Sequence, residues 1–181
     1  YGPHAHGEVQ EESSPPGEDF LAQLCVKWEA ALAVAQEAGV PVSAGRIGVV
    51  LGPDGGALKR MLLPFKLGLG GPLGSGRQSF PWIHVQDLVR LIEFIAQDGD
   101  RAGIYNGVAP GCVDQRTFAR TLGRAMGRPA LLPAPALALR LLLGERSTLL
   151  LTGQEVRPSA ALAAGFEFEH PLLADALVDL L

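Results

Sequence analysis

One segment constrains the fold more than any other in this chain. The seven residues from Arg46 to Gly52, Arg-Ile-Gly-Val-Val-Leu-Gly, are apolar on both alternating faces. A strand with one solvent-exposed face would alternate apolar and polar residues. This pattern therefore predicts a strand covered on both sides, as in a parallel sheet. Residues 52–56, Gly-Pro-Asp-Gly-Gly, predict a loop directly after it.

Helical periodicity flanks this strand. Large apolar residues recur every four positions at Phe20, Leu24, Trp28 and Leu32, which predicts a helix with one buried face. Asp19 is expected to cap the start of this helix and Gly39 to end it. Residues 1–17 are too rich in Gly, Pro, Ser and acids for a regular element and predict a loop. A further helix is predicted at 57–67, with an interruption at Pro64. Other helices are predicted at 86–97, 114–127, 134–143, 147–154 and 171–180. Further strands are predicted at 80–85 and 103–108. The order indicates an α/β layer followed by a mostly helical C-terminal part.

Composition excludes several classes of protein. The chain has 181 residues and a formal net charge of -4, which argues against a nucleic-acid partner. No apolar run approaches the roughly 20 residues that a membrane span needs, so no membrane partner is expected and the chain is predicted to be cytoplasmic. Cys25 and Cys112 stand far apart without zinc-ligand spacing. No metal site is therefore predicted.

A glycine-rich stretch at 68–76 is the first candidate binding element. Lys66 and Arg77 flank it and can hold an anionic group, although a solvated surface explains them equally well. The stretch itself is a poor match to a nucleotide-binding fingerprint, because Pro72 lies inside it and no apolar helix follows directly.

His84 and Asp87 form a second candidate, where a strand enters a helix. They could act as an acid/base pair. Alternatively, Asp87 caps the helix or complements its dipole and His84 satisfies a buried backbone group. The two histidines at positions 4 and 6 are expected to be exposed.

Three motifs carry a resemblance to a known family. They are Arg46-Ile-Gly-Val-Val-Leu-Gly-Pro53, Gly74-Ser-Gly-Arg-Gln78 and His84-Val-Gln-Asp87. In this order they resemble the extended short-chain dehydrogenase/reductases of the nucleotide-sugar epimerase type. Residues 62–78 and 81–85 are similar to the epimerase-family branch that includes human short-chain dehydrogenase/reductase family 39U member 1. Residues 105–110, 118–128 and 144–153 are similar to that branch's C-terminal domain of unknown function.

The resemblance implies a fold and a division into domains. Residues 1–110 are expected to form the C-terminal part of a Rossmann-like parallel sheet, and residues 111–181 a small, mostly helical, substrate-side domain. Such proteins begin with a Rossmann domain that carries a glycine-rich fingerprint, and these 181 residues contain none. We therefore expect NADP or NAD to bind the complete protein and to bind this chain alone weakly.

The resemblance also implies site residues, and it includes one departure. Arg46, Gly48 and Val49 are expected near the nicotinamide, and Lys66, Arg77 and Trp82 are expected to face a small, nucleotide-linked substrate. The family's catalytic Tyr-x-x-x-Lys is absent, because Leu21 and Cys25 stand where Tyr and Lys are expected. The catalytic residues are therefore unassigned.

Three functional interpretations follow. In the first, the chain is the substrate-side portion of an NAD(P)-dependent epimerase or reductase, inactive by itself. In the second, it is part of a non-catalytic dinucleotide-responsive or scaffolding protein that retains the fold. In the third, an exposed sheet edge makes it a homodimer.

Overall fold

The computed structural model describes residues 1–2 and 8–181, so the expectation for the histidines at 4 and 6 lies outside the described residues. The strands are β1 (Val9–Gln10), β2 (Ser43–Ile47), β3 (Val49–Leu51), β4 (Ser79–Phe80), β5 (Trp82–His84), β6 (Gly103–Gly107), β7 (Val113–Asp114) and β8 (Glu155–Val156). The helices are α1 (Phe20–Ala30), α2 (Ala33–Glu37), α3 (Gly56–Lys66), α4 (Val85–Ala96), α5 (Gln115–Ala125), α6 (Ala136–Leu143), α7 (Thr148–Leu151), α8 (Ser159–Ala163) and α9 (Leu173–Leu180). Short 3₁₀ helices lie at Gly99–Arg101 and Gly144–Ser147.

The predicted central strand is present, but it changes its hydrogen-bonding partner at Gly48. Before this residue β2 pairs in parallel with β6, and after it β3 pairs in parallel with β5. A Cβ atom on Gly48 would lie 2.7 Å from the Pro81 carbonyl oxygen and 2.8 Å from Val108 Cγ1, so a side chain would push these segments apart. Coverage on both sides holds at Leu51, which is fully buried, but not at Ile47, which is about half exposed.

The main hydrophobic core joins the sheet to the C-terminal helices. Leu51, Leu58 and Trp82 pack in one cluster with Phe118 of α5 and Leu177 of α9. A smaller cluster contains Leu91, Tyr105, Ala161 and Phe166. Both clusters include residues from each side of position 110, so the α/β layer and the helical part share their cores.

Local signals placed most elements correctly. Asp19 caps α1 by accepting hydrogen bonds from the backbone N–H groups of Leu21 and Ala22, and Asp114 caps α5 by accepting from Thr117 N–H. Gly39 ends the α1–α2 region with a φ of 76°, a backbone conformation that favours glycine. The single predicted helix is nevertheless two, because the chain turns between Ala30 and Ala33.

Further predictions were wrong, among them the interruption at Pro64, because α3 continues through this residue. Residues 1–17 are not entirely loop, since β1 pairs in parallel with β8, from the far end of the chain. The face of α1 predicted to be buried is largely open: Phe20 is 79% exposed and Trp28 66% exposed, and Ala22 is the helix's one buried residue. Among the described residues, no helix has both the length and the apolar character to cross a membrane.

Candidate functional site: a cleft between the first helix and the sheet

A cavity of about 680 Å³ lies along α1, where the amino end of the chain, β2 and the segment from 148 to 156 meet. It is larger than two other cavities, of about 320 and 360 Å³, that lie near Pro41 and Gly99. Its lining includes the following residues: Tyr1, Asp19, Leu21, Ala22, Cys25, Trp28, Glu29, Leu32, Arg46, Gly48, Pro81, Val108, Thr148, Leu149, Thr152 and Gln154. Apolar side chains dominate this wall, with a few polar groups among them, as in many small-molecule sites.

Leu21 and Cys25 both line this cavity. They are four residues apart on α1, so they lie one turn apart on the same side of the helix. The Leu21 side chain has no group that can transfer a proton, and the Cys25 thiol lacks the permanent positive charge of a lysine. Leu21 and Cys25 are therefore unable to perform the acid/base step that a Tyr-x-x-x-Lys pair performs.

Arg46 holds this wall in place. Its Nε and Nη2 atoms each donate to the Glu29 carboxylate at 2.7 Å, which forms a bidentate pair between β2 and α1. Its Nη1 atom donates to the Tyr1 hydroxyl at 2.9 Å and to the Glu12 carbonyl oxygen at 3.1 Å. Nearly all of the guanidinium's donors are therefore engaged within the chain.

The electrostatics of this pair are mutually reinforcing. The hydrogen bonds from Arg46 lower the pKa of Glu29 below its ordinary value, although partial burial opposes the change. The hydrogen bond to Glu29 likewise raises the pKa of Arg46. Both groups therefore remain charged throughout the neutral range, and the ion pair persists there.

The other residues expected near the nicotinamide divide between the cleft and the core. Gly48 lines the cleft, and the close approach of Pro81 and Val108 leaves no room there for a side chain. Val49, one residue further along, packs against the main core and does not line the cavity.

The structure does not bring the three expected substrate residues together. Lys66 and Arg77 are exposed at the two ends of the glycine-rich stretch, outside the cleft. The Trp82 side chain is fully buried in the core, and its indole N–H donates to the Gly111 carbonyl oxygen at 3.0 Å. The expectation that Trp82 faces a substrate therefore fails, because β5 directs the indole into the core and no ring surface is left for a ligand.

The glycine-rich stretch packs against the protein's own atoms. A Cβ on Gly70 would clash with the Phe65 ring, and one on Gly71 would clash with the Leu132 carbonyl oxygen. Gly74 meets Leu151 in the same way. These glycines allow close packing of the chain on itself, so their surroundings do not fit a dinucleotide phosphate.

Comparison with known families decides the relationship. A model described as the NAD dependent epimerase/dehydratase family matches residues 1–106, more than half of the chain. The chain belongs to this family. A second model, a domain of unknown function termed DUF1731, matches residues 134–180.

Relatives and solved structures agree with this membership. The epimerase family protein SDR39U1 of mouse is 46% identical over 180 residues, which are 99% of this chain and 61% of that protein. The crystal structure of human epimerase family protein SDR39U1 (isoform 2) with NADPH superposes with a TM-score of 0.90 at 42% identity, over 99% of this chain and 61% of that one. A nucleoside-diphosphate sugar epimerase from Corynebacterium glutamicum gives a TM-score of 0.81 at 29% identity, over 99% of this chain and 35% of that one. The chain thus spans under two thirds of these proteins, and the predicted Rossmann-like α/β fold is confirmed.

In this epimerase-family chain, His84 has the structural role that the sequence left open. It is fully buried, and its Nδ1 atom accepts a hydrogen bond from the Gln86 backbone N–H at the start of α4. Its ring stacks on His170 with centroids 3.9 Å apart, and its Nε2 lies 3.2 Å from Asp179 Oδ2 in poor hydrogen-bond geometry. Burial, assisted by the neighbouring His170, lowers the pKa of His84 below its ordinary value, so the ring is neutral at pH 7.

Ligand atoms of His84, His170 and Asp179 lie within 4.8 Å of one another, which is close enough to suggest a metal site. The tautomer argues against it. Because Nδ1 accepts a hydrogen bond, the proton of the neutral ring resides on Nε2, which then has no lone pair for a metal.

Asp87 fastens the C-terminal segment to α4. It is fully buried, and its two carboxylate oxygens accept hydrogen bonds from the backbone N–H groups of Glu169 and His170, each at 2.9 Å. Arg90 donates a third hydrogen bond at 3.1 Å. The carboxylate is in the first turn of α4, as expected, but its partners are mostly in the tail rather than at the helix start.

Sequence reasoning missed the polar groups on the far side of the cleft. Thr148, Thr152 and Gln154 line the cavity opposite α1. The only signal was the similarity of residues 144–153 to the C-terminal domain of this epimerase branch, and it gave no indication of which side chains reach the cleft.

Proposed function

We propose that this chain supplies the substrate side of the cleft in an NAD(P)-dependent member of the epimerase/dehydratase family, and that it is catalytically silent alone. The observation that carries the proposal is the shared cavity. It unites Gly48, expected near the nicotinamide, with Leu21 and Cys25, which stand at the family's catalytic positions. Apolar walls with a few polar groups suit a small organic substrate, and we propose a nucleotide-linked one.

We assign substrate binding to this chain and binding of the cofactor's phosphates to a segment outside it. The NADPH-bound human protein shows that a relative of 42% identity takes this cofactor. Among the described residues, the glycine-rich stretch does not form an open loop before a helix that could bind the cofactor's phosphates, because Phe65 and Leu132 pack against its glycines. When bound, the cofactor would supply hydride chemistry. Gly48 would border its nicotinamide end, with Val49 supporting the strand behind.

We assign Arg46 a positioning role in this cleft. Its guanidinium is occupied by Glu29, Tyr1 and the Glu12 backbone, so it fixes α1 against β2 and thereby sets where Leu21 and Cys25 lie. Lys66 and Arg77 remain candidates for holding the nucleotide part of a longer substrate, because both are exposed and cationic. The domain division at 110/111 and a homodimer through β2, whose one strand partner among the described residues is β6, remain proposals as well.

The loss of the catalytic pair favours a second candidate. Leu21 and Cys25 cannot serve as proton donor and its activating cation, so a non-catalytic, dinucleotide-responsive protein fits the same cleft. The two candidates share cofactor binding and differ in turnover.

Titration with NADPH and NADH tests both. The fluorescence of each nucleotide is followed against this chain and against a longer version that carries the N-terminal Rossmann segment of a relative. We expect binding to the longer version, with affinity for this chain alone at least ten-fold weaker. Equal binding by both would contradict the proposal, because the present chain would then contain the phosphate site.

Turnover is then measured on the longer version with a panel of nucleotide sugars. Turnover that is retained in the longer version when Cys25 is changed to Ser would show that other groups perform the chemistry and would favour the enzyme. Tight NADPH binding without turnover of any substrate would favour the non-catalytic candidate. A matched variant, Cys112→Ser, controls for effects of thiol replacement outside the cleft.

A further inference from the structure

Helix α6 is apolar on the side that faces away from the protein. Leu137, Leu141 and Leu142, here termed the outer leucines, are 70%, 79% and 81% exposed. The partly buried positions of the same helix, Ala136 and Leu139, are also apolar. A helix at a water-facing surface normally presents polar residues outward, and one that is apolar all round is covered on all sides.

The outer leucines are separate from the cleft. None of them lines its cavity. Leu131 and Leu132 before α6 are exposed as well and extend the apolar surface along the chain. Clusters of exposed large apolar residues mark interaction sites in soluble proteins.

The part of the chain that contains α5 and α6 has a positive net charge. Residues 115–154 contain six arginines and one acidic residue, Glu145, and are flanked by Asp114 and Glu155, in a chain whose net charge is -4. The arginines are all exposed, and none forms an ion pair within the described residues; they are Arg116, Arg120, Arg124, Arg128, Arg140 and Arg146. Arg116, Arg120 and Arg124 are spaced by four on α5 and therefore share one side of that helix.

The basic and apolar groups meet at one loop. A Cβ on Gly74 would lie 3.7 Å from the Ala136 Cβ at the start of α6, and one on Gly76 would lie 3.0 Å from Arg116 at the start of α5. The two helices thus begin beside the same loop, which places the first arginine of α5 close to the base of α6.

We propose that this surface docks on an anionic lipid membrane. The outer leucines enter the boundary between headgroups and acyl chains, and the arginines contact lipid phosphates. Such a helix lies in the plane of the interface and needs no span. The proposal departs from the sequence-based expectation of no membrane partner, which rested on the lack of an apolar run long enough to span. It is compatible with the absence of a membrane-spanning helix among the described residues.

A second copy of the chain is the less favourable occupant. A two-fold contact centred on the outer leucines would bring the same arginine-rich region of each copy against the other. Arginines brought between two copies would repel one another, whereas lipid phosphates would neutralise them.

Vesicle sedimentation tests the proposal. The chain is mixed with phosphatidylcholine vesicles, with and without phosphatidylserine, at low and high salt. We expect binding only to the vesicles that contain phosphatidylserine, and we expect salt to weaken it. Leu142→Asp should reduce the affinity about ten-fold or more, because it places a charge at the most exposed leucine of α6.

Val178→Asp on α9 is the matched control, since it places the same charge at another exposed apolar helix position. Circular dichroism confirms that both variants are folded. The proposal fails if the chain does not bind anionic vesicles, if it binds neutral vesicles equally well, or if both variants lose binding alike. It also fails if Leu142→Asp abolishes dimerisation in sedimentation velocity rather than vesicle binding, or if a longer version with the N-terminal segment no longer binds vesicles, because another polypeptide then covers the leucines.

Discussion

Helices α1 and α5 are alike in length and in how they begin, yet they differ in what they bury. Each has eleven residues and starts after an aspartate that caps it. Helix α5 buries five residues and packs on α9. Helix α1 carries more large apolar residues and buries only Ala22. The comparison shows that a helix's own pattern determines whether it can bury a face, while a partner determines whether it does.

Phe118 and Phe20 provide the strongest contrast between the two helices. Phe118 is 2% exposed and stacks against Phe80 with ring centroids 4.2 Å apart, whereas Phe20 is almost fully exposed. Phe118→Ala should lower the free energy of unfolding by about 3–5 kcal/mol, because it leaves a cavity in the core. Phe20→Ala should change it by less than about 0.5 kcal/mol. Urea denaturation measures both. A comparable loss in the two variants would show that α1 is packed in solution.

The Glu29–Arg46 pair is the main polar tie of α1 to the sheet. Glu29→Gln should cost roughly 1.5–3 kcal/mol at neutral pH, since it removes charge-assisted hydrogen bonds from a partly buried arginine. Denaturation of the variant beside Glu37→Gln, an exposed glutamate on α2, measures the difference. If both substitutions have the same small effect, the pair does not hold α1.

The same pair gives a pH dependence with a defined sign. The pKa of Glu29 is lowered in the folded protein, so its contribution to stability is complete above the ordinary value of 4.5. It is lost as the pH falls through the lowered pKa. The stability difference between the wild type and Glu29→Gln should therefore shrink below pH 4.5. A difference that stays constant down to pH 2 would show that the carboxylate charge is not the source.

The caps should have the smallest effects and should be similar in the two helices. Asp114→Ala and Asp19→Ala each remove side-chain acceptors from the first turn, at a cost of about 1 kcal/mol. Thermal and urea denaturation measure this cost, with Asp54→Ala in an exposed loop as the control. If Asp19→Ala has no effect while Asp114→Ala does, α1 is not helical without a covering partner.

Much of the local structure was predictable from single residues and short patterns. Asp19, Asp114 and Gly39 set helix ends because caps depend on adjacent backbone groups. The shared core was not predictable in this way, because Phe118 and Leu177 meet Trp82 only once the chain has folded back on itself. The cleft was half predictable. Leu21 and Cys25 were singled out by resemblance, but Thr148 and Thr152 were not.

The sequence by itself determined the family, the order of the longer helices and of the central strands, and the loss of the Tyr-x-x-x-Lys pair, since each of these depends on residue identity and spacing along the chain. Only the tertiary structure decided which of these residues share a surface. In the tertiary structure Arg46 binds Glu29 and Tyr1, and Trp82 is buried in the core. Strand β1 pairs with β8, and the outer leucines of α6 face outward. The physical reason is that burial and hydrogen-bond partnership are properties of contacts between distant segments, and a pattern read along one segment contains no information about which segment will cover it.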